Sequence, residues 1–229
     1  MLSISIKTRP LGDSALVLTF GNVMSDAVNR RVHQATGRLR EARLPGIVDL
    51  VPAFASLTVF YDGCLVTYTA LVEAIEMALT AVEESKVSPG RVIELPTCYE
   101  PPYSLDIQQV AEHCQCTVGD VVALHSEPEY QVYFLGFMPG FPYLGGMSPA
   151  LATPRKTTPV LTVPAGAVGI AGGQTGVYPM ETPGGWQIIG RTPIPLFVPG
   201  LTPPAVLRAG DRLRFKPVSA CEFEQWRQS

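Results

Sequence analysis

The residues able to do chemistry concentrate in one stretch, 163–192. Between Lys156 and Arg191 the only charged side chain is Glu181, and glycine recurs at 166, 169, 172, 173, 176, 184, 185 and 190. Gln174, Thr175, Tyr178, Glu181 and Arg191 are its few polar groups. A mostly apolar surface with a few placed polar groups is what a small-molecule site requires. Glycine permits positive φ and close approach by another group. The same glycines would also serve barrel corners and bulges, so spacing alone leaves both readings open. Val, Ile, Tyr and Trp are interleaved with them, unlike the polar residues of a flexible linker. The stretch must therefore pack, as short strands joined by tight turns.

Other candidates lie upstream. His125 shares a helix face with Val118, Val121 and Val122. Such a histidine is either a satisfied core residue or a site histidine at a helix C-terminus. Phe141 and Tyr143 lie in a loop stiffened by Pro139 and Pro142, as a pocket wall or a hydrophobic plug. Arg155 and Lys156 form the nearby positive pair, suited to anion binding or to a solvated loop. No phosphate loop, dinucleotide fingerprint or nucleophile elbow occurs. Cys114 and Cys116 lack the paired spacing of a zinc site. With three histidines in the chain, a self-contained catalytic triad is not expected. The set reads as half of an active site.

The elements that must position these groups follow from periodicity. Val28, Val32, Ala35, Leu39 and Ala42 make one helical stripe after a Ser25 cap. A second helix is expected over 69–84, with Leu71, Ile75, Ala78 and Val82 inward. Strands are expected at 2–7, 15–20, 47–51 and 56–61, and Ser88-Pro89-Gly90 breaks the chain. The order β-β-α-β-β-α implies a small, largely antiparallel sheet covered by helices. Beyond it come two short helices, the second capped by Thr117. Many short strands with Gly/Pro turns then predict a barrel. The last strand alternates Leu213 and Phe215 inward with Arg212, Arg214 and Lys216 outward. The expected domains are 1–88 and 89–229.

Composition narrows the classes. Net charge is -3 with basic residues scattered, which gives nucleic acid no footprint. Five cysteines in a chain of 229 residues do not suggest a disulfide framework. The N-terminus lacks a signal core, and the uncharged run 157–180 is too broken by Pro and Gly to span a membrane. A soluble, cytoplasmic protein is expected.

Longer motifs carry a resemblance: Gly136-Phe-Met-Pro-Gly-Phe-Pro-Tyr-Leu-Gly145, Thr153-Pro-Arg155, Val163-Pro-Ala-Gly166, Gly172-Gly-Gln-Thr-Gly-Val-Tyr-Pro179 and Pro183-Gly-Gly-Trp-Gln-Ile-Ile-Gly-Arg-Thr192. Across essentially the whole chain the sequence resembles the allophanate hydrolase subunit 1 family, also called the carboxyltransferase C/D-subdomain family. The resemblance implies an α+β protein: an N-terminal α/β sandwich and a C-terminal cyclophilin-like β-barrel, the latter in shape and not as an isomerase. Family members include the B-type subunit of bacterial 5-oxoprolinase, a sporulation histidine-kinase inhibitor and a segment of urea carboxylase. With the chain ending at Ser229, the free-standing B-type subunit of 5-oxoprolinase is the expected form. That form implies ATP-driven opening of 5-oxo-L-proline to L-glutamate. Its partners would be a sister cyclophilin-like barrel subunit of the C type and an A-type subunit. ATP would be a co-substrate of the complex, with no metal or biotin bound by this chain. The alternatives are a kinase-inhibiting binding module and half of a biotin-dependent carboxyltransferase.

On this resemblance Gln174, His125 and Glu181 are the catalytic candidates. Arg155, Gly172, Gly173, Thr175, Tyr178, Trp186, Arg191, Phe141 and Tyr143 are the substrate-binding candidates. The backbone N–H groups of 172–175 would stabilise an anionic tetrahedral species, and Arg155 or Arg191 would hold the substrate carboxylate.

Overall fold

A computed structural model of the chain describes residues 6–23, 25–80 and 90–228. The chain divides into two compact units between Pro89 and Gly90. The first contains β1 (Lys7–Pro10), β2 (Ala15–Thr19), α1 (Asp26–Ala42), β3 (Ile47–Pro52), β4 (Ser56–Tyr61) and α2 (Tyr68–Thr80). Its four strands form an antiparallel sheet in the order β1-β2-β4-β3. The hydroxyl of Ser25 accepts from the Val28 N–H and starts α1. Val28, Val32, Ala35 and Leu39 are buried and pack with Leu16, Leu18, Leu57 and Val59. Ala42, expected on that stripe, is exposed, because the helix closes at Arg43 in the left-handed conformation.

The first strand continues past its expected end at Lys7: Pro10 pairs with Leu16, at a sheet edge where a missing N–H is tolerated. The expected start at Leu2, the helical continuation through Val82 to Glu84, and Ser88-Pro89 lie outside the described residues.

The second unit contains β5 (Val92–Cys98), α3 (Ile107–Cys114), α4 (Val118–Ser126), β6 (Tyr130–Leu135), β7 (Pro142–Gly145), a 3-10 turn (Pro149–Leu151), β8 (Val160–Val163), β9 (Ala167–Ala171), β10 (Gln174–Val177), β11 (Thr182–Gly184), β12 (Gln187–Arg191), β13 (Arg212–Val218) and α5 (Ala220–Gln228). Seven of these strands close a barrel in the order β10-β7-β6-β13-β5-β12-β9. Neighbours are antiparallel except β5 and β13, which run parallel from Val92 opposite Arg212 to Cys98 opposite Val218. Leu213 and Phe215 enter the core while Arg212, Arg214 and Lys216 stay outside, as the alternation requires. Thr117 and Asp120 form a reciprocal capping box on α4. Val110, Ala111 and Val121 of the two helices join Tyr130, Val132, Leu213 and Phe215 in one core. The mixed α+β architecture is therefore a small sheet-and-helix unit and a closed barrel. Strands β8 and β11 pair outside the barrel and bring Gly184 opposite Val160.

Candidate functional site

The glycine-rich stretch and the aromatic loop before it meet at one cavity of about 320 Å³, walled by Phe137, Phe141, Tyr143, Tyr178 and Trp186, with Arg155, Lys156 and the Pro183–Gly185 backbone at its rim. Phe141 reaches its place because residue 176 is glycine. A Cβ there would stand 2.9 Å from both the Phe141 ring and the Pro142 carbonyl. Gly184 does the same for Tyr178, whose hydroxyl would be 2.7 Å from an added Cβ. Phe141 then meets Tyr178 and Trp186 edge to face at centroid distances of 5.3 and 5.5 Å, and Tyr143 stacks on Phe134 at 4.5 Å. These rings give a rigid apolar wall at small entropic cost.

Charge is placed unevenly. The Arg155 guanidinium lies 6.0 Å from the Trp186 ring centroid, a cation–π arrangement, and it has no acidic partner among the described residues. Lys156 is committed elsewhere. Its Nζ lies 2.8 Å from each carboxylate oxygen of Asp106, the residue preceding α3. Asp106 is buried, and its Oδ2 also accepts the Ile188 N–H at 2.7 Å. Tyr143 and Tyr178 both line the cavity, and Tyr178 is the more deeply buried of the two. Burial pushes the Tyr178 pKa up to about 12, against a smaller opposing hydrogen bond from the Trp186 backbone. It therefore stays protonated near neutral pH and can donate its O–H.

The remaining sequence-expected residues are not part of this wall. His125 is fully buried in the barrel core against Phe215, with ring centroids 4.4 Å apart. Thr175 Oγ1 donates to the Gly169 carbonyl at 3.0 Å, so the 2.9 Å contact with His125 Nε2 must be donated by the imidazole. His125 Nδ1 then accepts from the Tyr99 hydroxyl at 2.8 Å. Both ring nitrogens are satisfied internally, and burial holds the pKa down at about 3. The structure corrects the catalytic expectation for His125 and the binding expectation for Thr175: both are core residues, because the apolar face of α4 packs into the barrel.

Gly172, Gly173 and Gln174 sit at the β9–β10 turn, away from the cavity wall. The expected anion cradle fails at Gly172, whose N–H donates to the Thr153 carbonyl at 2.7 Å. Arg191 donates from Nε to the Ala165 carbonyl at 2.8 Å, and Glu181 is exposed; neither lines the cavity. The cavity gathers Phe141, Tyr143, Arg155, Tyr178 and Trp186 from the expected set. Sequence reading missed Phe137 and Asp106. Phe137 was legible as an aromatic in the same loop. Asp106 lies 50 positions before Lys156, with no local pattern linking them. Among the described residues no His/Cys/Asp/Glu group is arranged to hold a metal ion.

Fold and cavity together define the class: an α/β unit followed by a closed barrel that carries an aromatic, cation-rimmed pocket. The pattern of the carboxyltransferase domain, subdomain C and D, matches residues 6–207, and the chain belongs to that family. It is 41% identical over 237 residues to the B-type subunit of 5-oxoprolinase from Bacillus subtilis (strain 168), covering 99% of each chain. The crystal structure of the conserved uncharacterized protein PH0987 from Pyrococcus horikoshii is 44% identical, covering 95% of this chain and 100% of that one, with a TM-score of 0.57. The crystal structure of TTHA0988 is 37% identical with a TM-score of 0.79 over 90% of this chain; the match spans 40% of that longer chain. No helix among the described residues is long and apolar enough to cross a membrane.

Proposed function

We propose that this chain is the B-type barrel subunit of an ATP-dependent 5-oxoprolinase and that its aromatic cavity receives 5-oxo-L-proline. The carrying observation is the union of a ring-sized aromatic pocket with one uncommitted guanidinium. The full-length similarity to a B-type 5-oxoprolinase subunit supports the same reading. In it, the lactam ring lies against Tyr178 and Trp186, and Arg155 takes the carboxylate.

The chemistry explains why ATP is consumed. Amide resonance makes the lactam carbonyl a poor electrophile. Its oxygen attacks the γ-phosphorus, the bond to the β-phosphate breaks, ADP leaves and the ring nitrogen loses its proton. Water then adds to the activated carbon, and the ring C–N bond breaks as nitrogen is reprotonated. A second water releases phosphate from the acyl phosphate to give L-glutamate. The protonated Tyr178 hydroxyl donates toward the oxygen that gains charge. The cavity wall supplies no general base, so that group, like the nucleotide site, belongs to the sister barrel subunit and the A-type subunit.

The test is reconstitution with those two subunits and an assay of 5-oxoproline-dependent ADP release. Arg155→Ala should raise KM by about tenfold or more, the loss of one charge-assisted contact. Tyr178→Phe should lower kcat more than it raises KM. A fully assembled, folded complex that releases no ADP would sink the proposal.

A further inference from the structure

The carboxylate of Asp106 lies behind the cavity rim, against Lys156, which is one of the residues lining it. Its side chain is 7% exposed and that of Lys156 is 19% exposed. Both oxygens face the Lys156 ammonium, and one also receives the Ile188 N–H. A carboxylate this deeply buried persists only when paired and hydrogen-bonded. The rim thus carries two cationic side chains but one uncompensated positive charge, that of Arg155.

We propose that Asp106 is a specificity-setting residue: by neutralising Lys156 it holds the cavity at a single positive charge, so that the site accepts a cyclic monoanion and discriminates against dianions. This rests on reading the cavity as the substrate site. A 5-oxoproline molecule brings one carboxylate and a neutral lactam, which matches one free guanidinium. Ring opening creates a second carboxylate and an ammonium. The cavity offers that new carboxylate no free cation, because Lys156 is occupied. It offers the ammonium no free anion, because Asp106 is occupied. The pair therefore favours substrate over product as well as monoanion over dianion. Specificity obtained by leaving the wrong ligand's charge unpaired is a general device.

Trp186 reports on the cavity directly. The chain has one other tryptophan, Trp226, half-exposed on α5, so a Trp226→Phe background isolates the signal. Fluorescence titrations would compare 5-oxo-L-proline with glutarate, a dianion with the same number of carbons. The parent protein should bind 5-oxo-L-proline at least about tenfold more tightly than glutarate. Asp106→Asn keeps the shape and the acceptor for Ile188 but frees the ammonium. It should raise glutarate affinity about tenfold while changing 5-oxo-L-proline affinity less than about threefold. The double variant Asp106→Asn/Lys156→Met should restore the parental preference, which a purely structural role for Asp106 would not produce. Should Asp106→Asn fail to fold, Asp106→Glu retains the charge and must retain the parental preference.

Equal weakening of both ligands in Asp106→Asn, no restoration in the double variant, or no response to either ligand in the parent would overturn the inference. Turnover by the wild-type complex alongside such a failure leaves the 5-oxoprolinase reading standing and removes only the role of Asp106. The charge-dependent shift in a complex that releases no ADP removes the 5-oxoprolinase reading instead.

Discussion

His125 is a histidine that the fold keeps neutral. It accepts from Tyr99, donates to Thr175 and lies against Phe215, with no solvent contact. Its pKa falls from 6.5 to about 3 because burial penalises the charged ring. Between those values the unfolded chain binds a proton that the folded chain refuses. The stability contributed by the neutral ring is therefore complete above about pH 6.5 and is lost as pH falls through that window, at about 1.4 kcal/mol per unit, or about 2 kcal/mol by pH 5. His125→Gln has no such proton to bind. The stability gap between wild type and this variant should shrink by about 2 kcal/mol from pH 7.5 to pH 5 in urea unfolding. A pH-independent gap would mean that the ring is not held neutral. At this scale the sequence was ambiguous for a physical reason. A helix face with three valines and a histidine has the same pattern whether the imidazole meets a ligand or a tyrosine and a threonine. Lys156 and Asp106 show the converse: each is ordinary in sequence, and their pairing exists only once α3 is folded against the barrel.

Elements were legible in proportion to their local period. The alternation of β13 specified both faces, and the Thr117 cap fixed the start of α4. Helix α5 was not foreseen, since Phe223 is its sole fully buried residue and one apolar position makes no stripe. In the glycine-rich stretch the strands were readable as strands, but not which glycines belonged to turns and which to contacts. Gly172 turns the chain at the β9–β10 connection with φ +56 and nothing within 4 Å of an added Cβ. Gly176 lies in β10 with φ outside the left-handed region, yet the Phe141 ring and the Pro142 carbonyl occupy the side-chain space. A backbone carbonyl cannot move aside, so Gly176→Ala should cost about 1–3 kcal/mol and tilt Phe141 into the cavity. Chemical unfolding would read the first effect, and loss of the Trp186 fluorescence response to 5-oxo-L-proline the second. Unchanged stability would mean that β10 and β7 can separate slightly at no cost.

For the molecule as a whole, the proposed division of labour between this chain and partner subunits can be argued from where its own negative charge sits. A phosphate group is ordinarily bound by the free N–H groups of a helix N-terminus, where the helix dipole favours an anion. In the barrel unit those positions already carry carboxylates from the chain itself. Asp120 closes the capping box of α4 and Glu222 accepts from the N–H and hydroxyl of Ser219 at the start of α5, while Asp106, which precedes α3, is already paired with Lys156. In the other unit Asp26 occupies the first turn of α1. Hydrogen bonds from Thr117 and Ser219 hold Asp120 and Glu222 below the usual carboxylate range, so these anions persist well below neutral pH. A triphosphate approaching the start of α1, α4 or α5 meets like charge, and at the cavity it meets one uncompensated guanidinium. The isolated chain should therefore bind 5-oxo-L-proline in a calorimetric titration and give no heat with MgATP. In the reconstituted complex a photoreactive ATP analogue should label one of the partners. Labelling of this chain, blocked by excess ATP, would show that its helix termini open on assembly and would move the nucleotide site into the barrel.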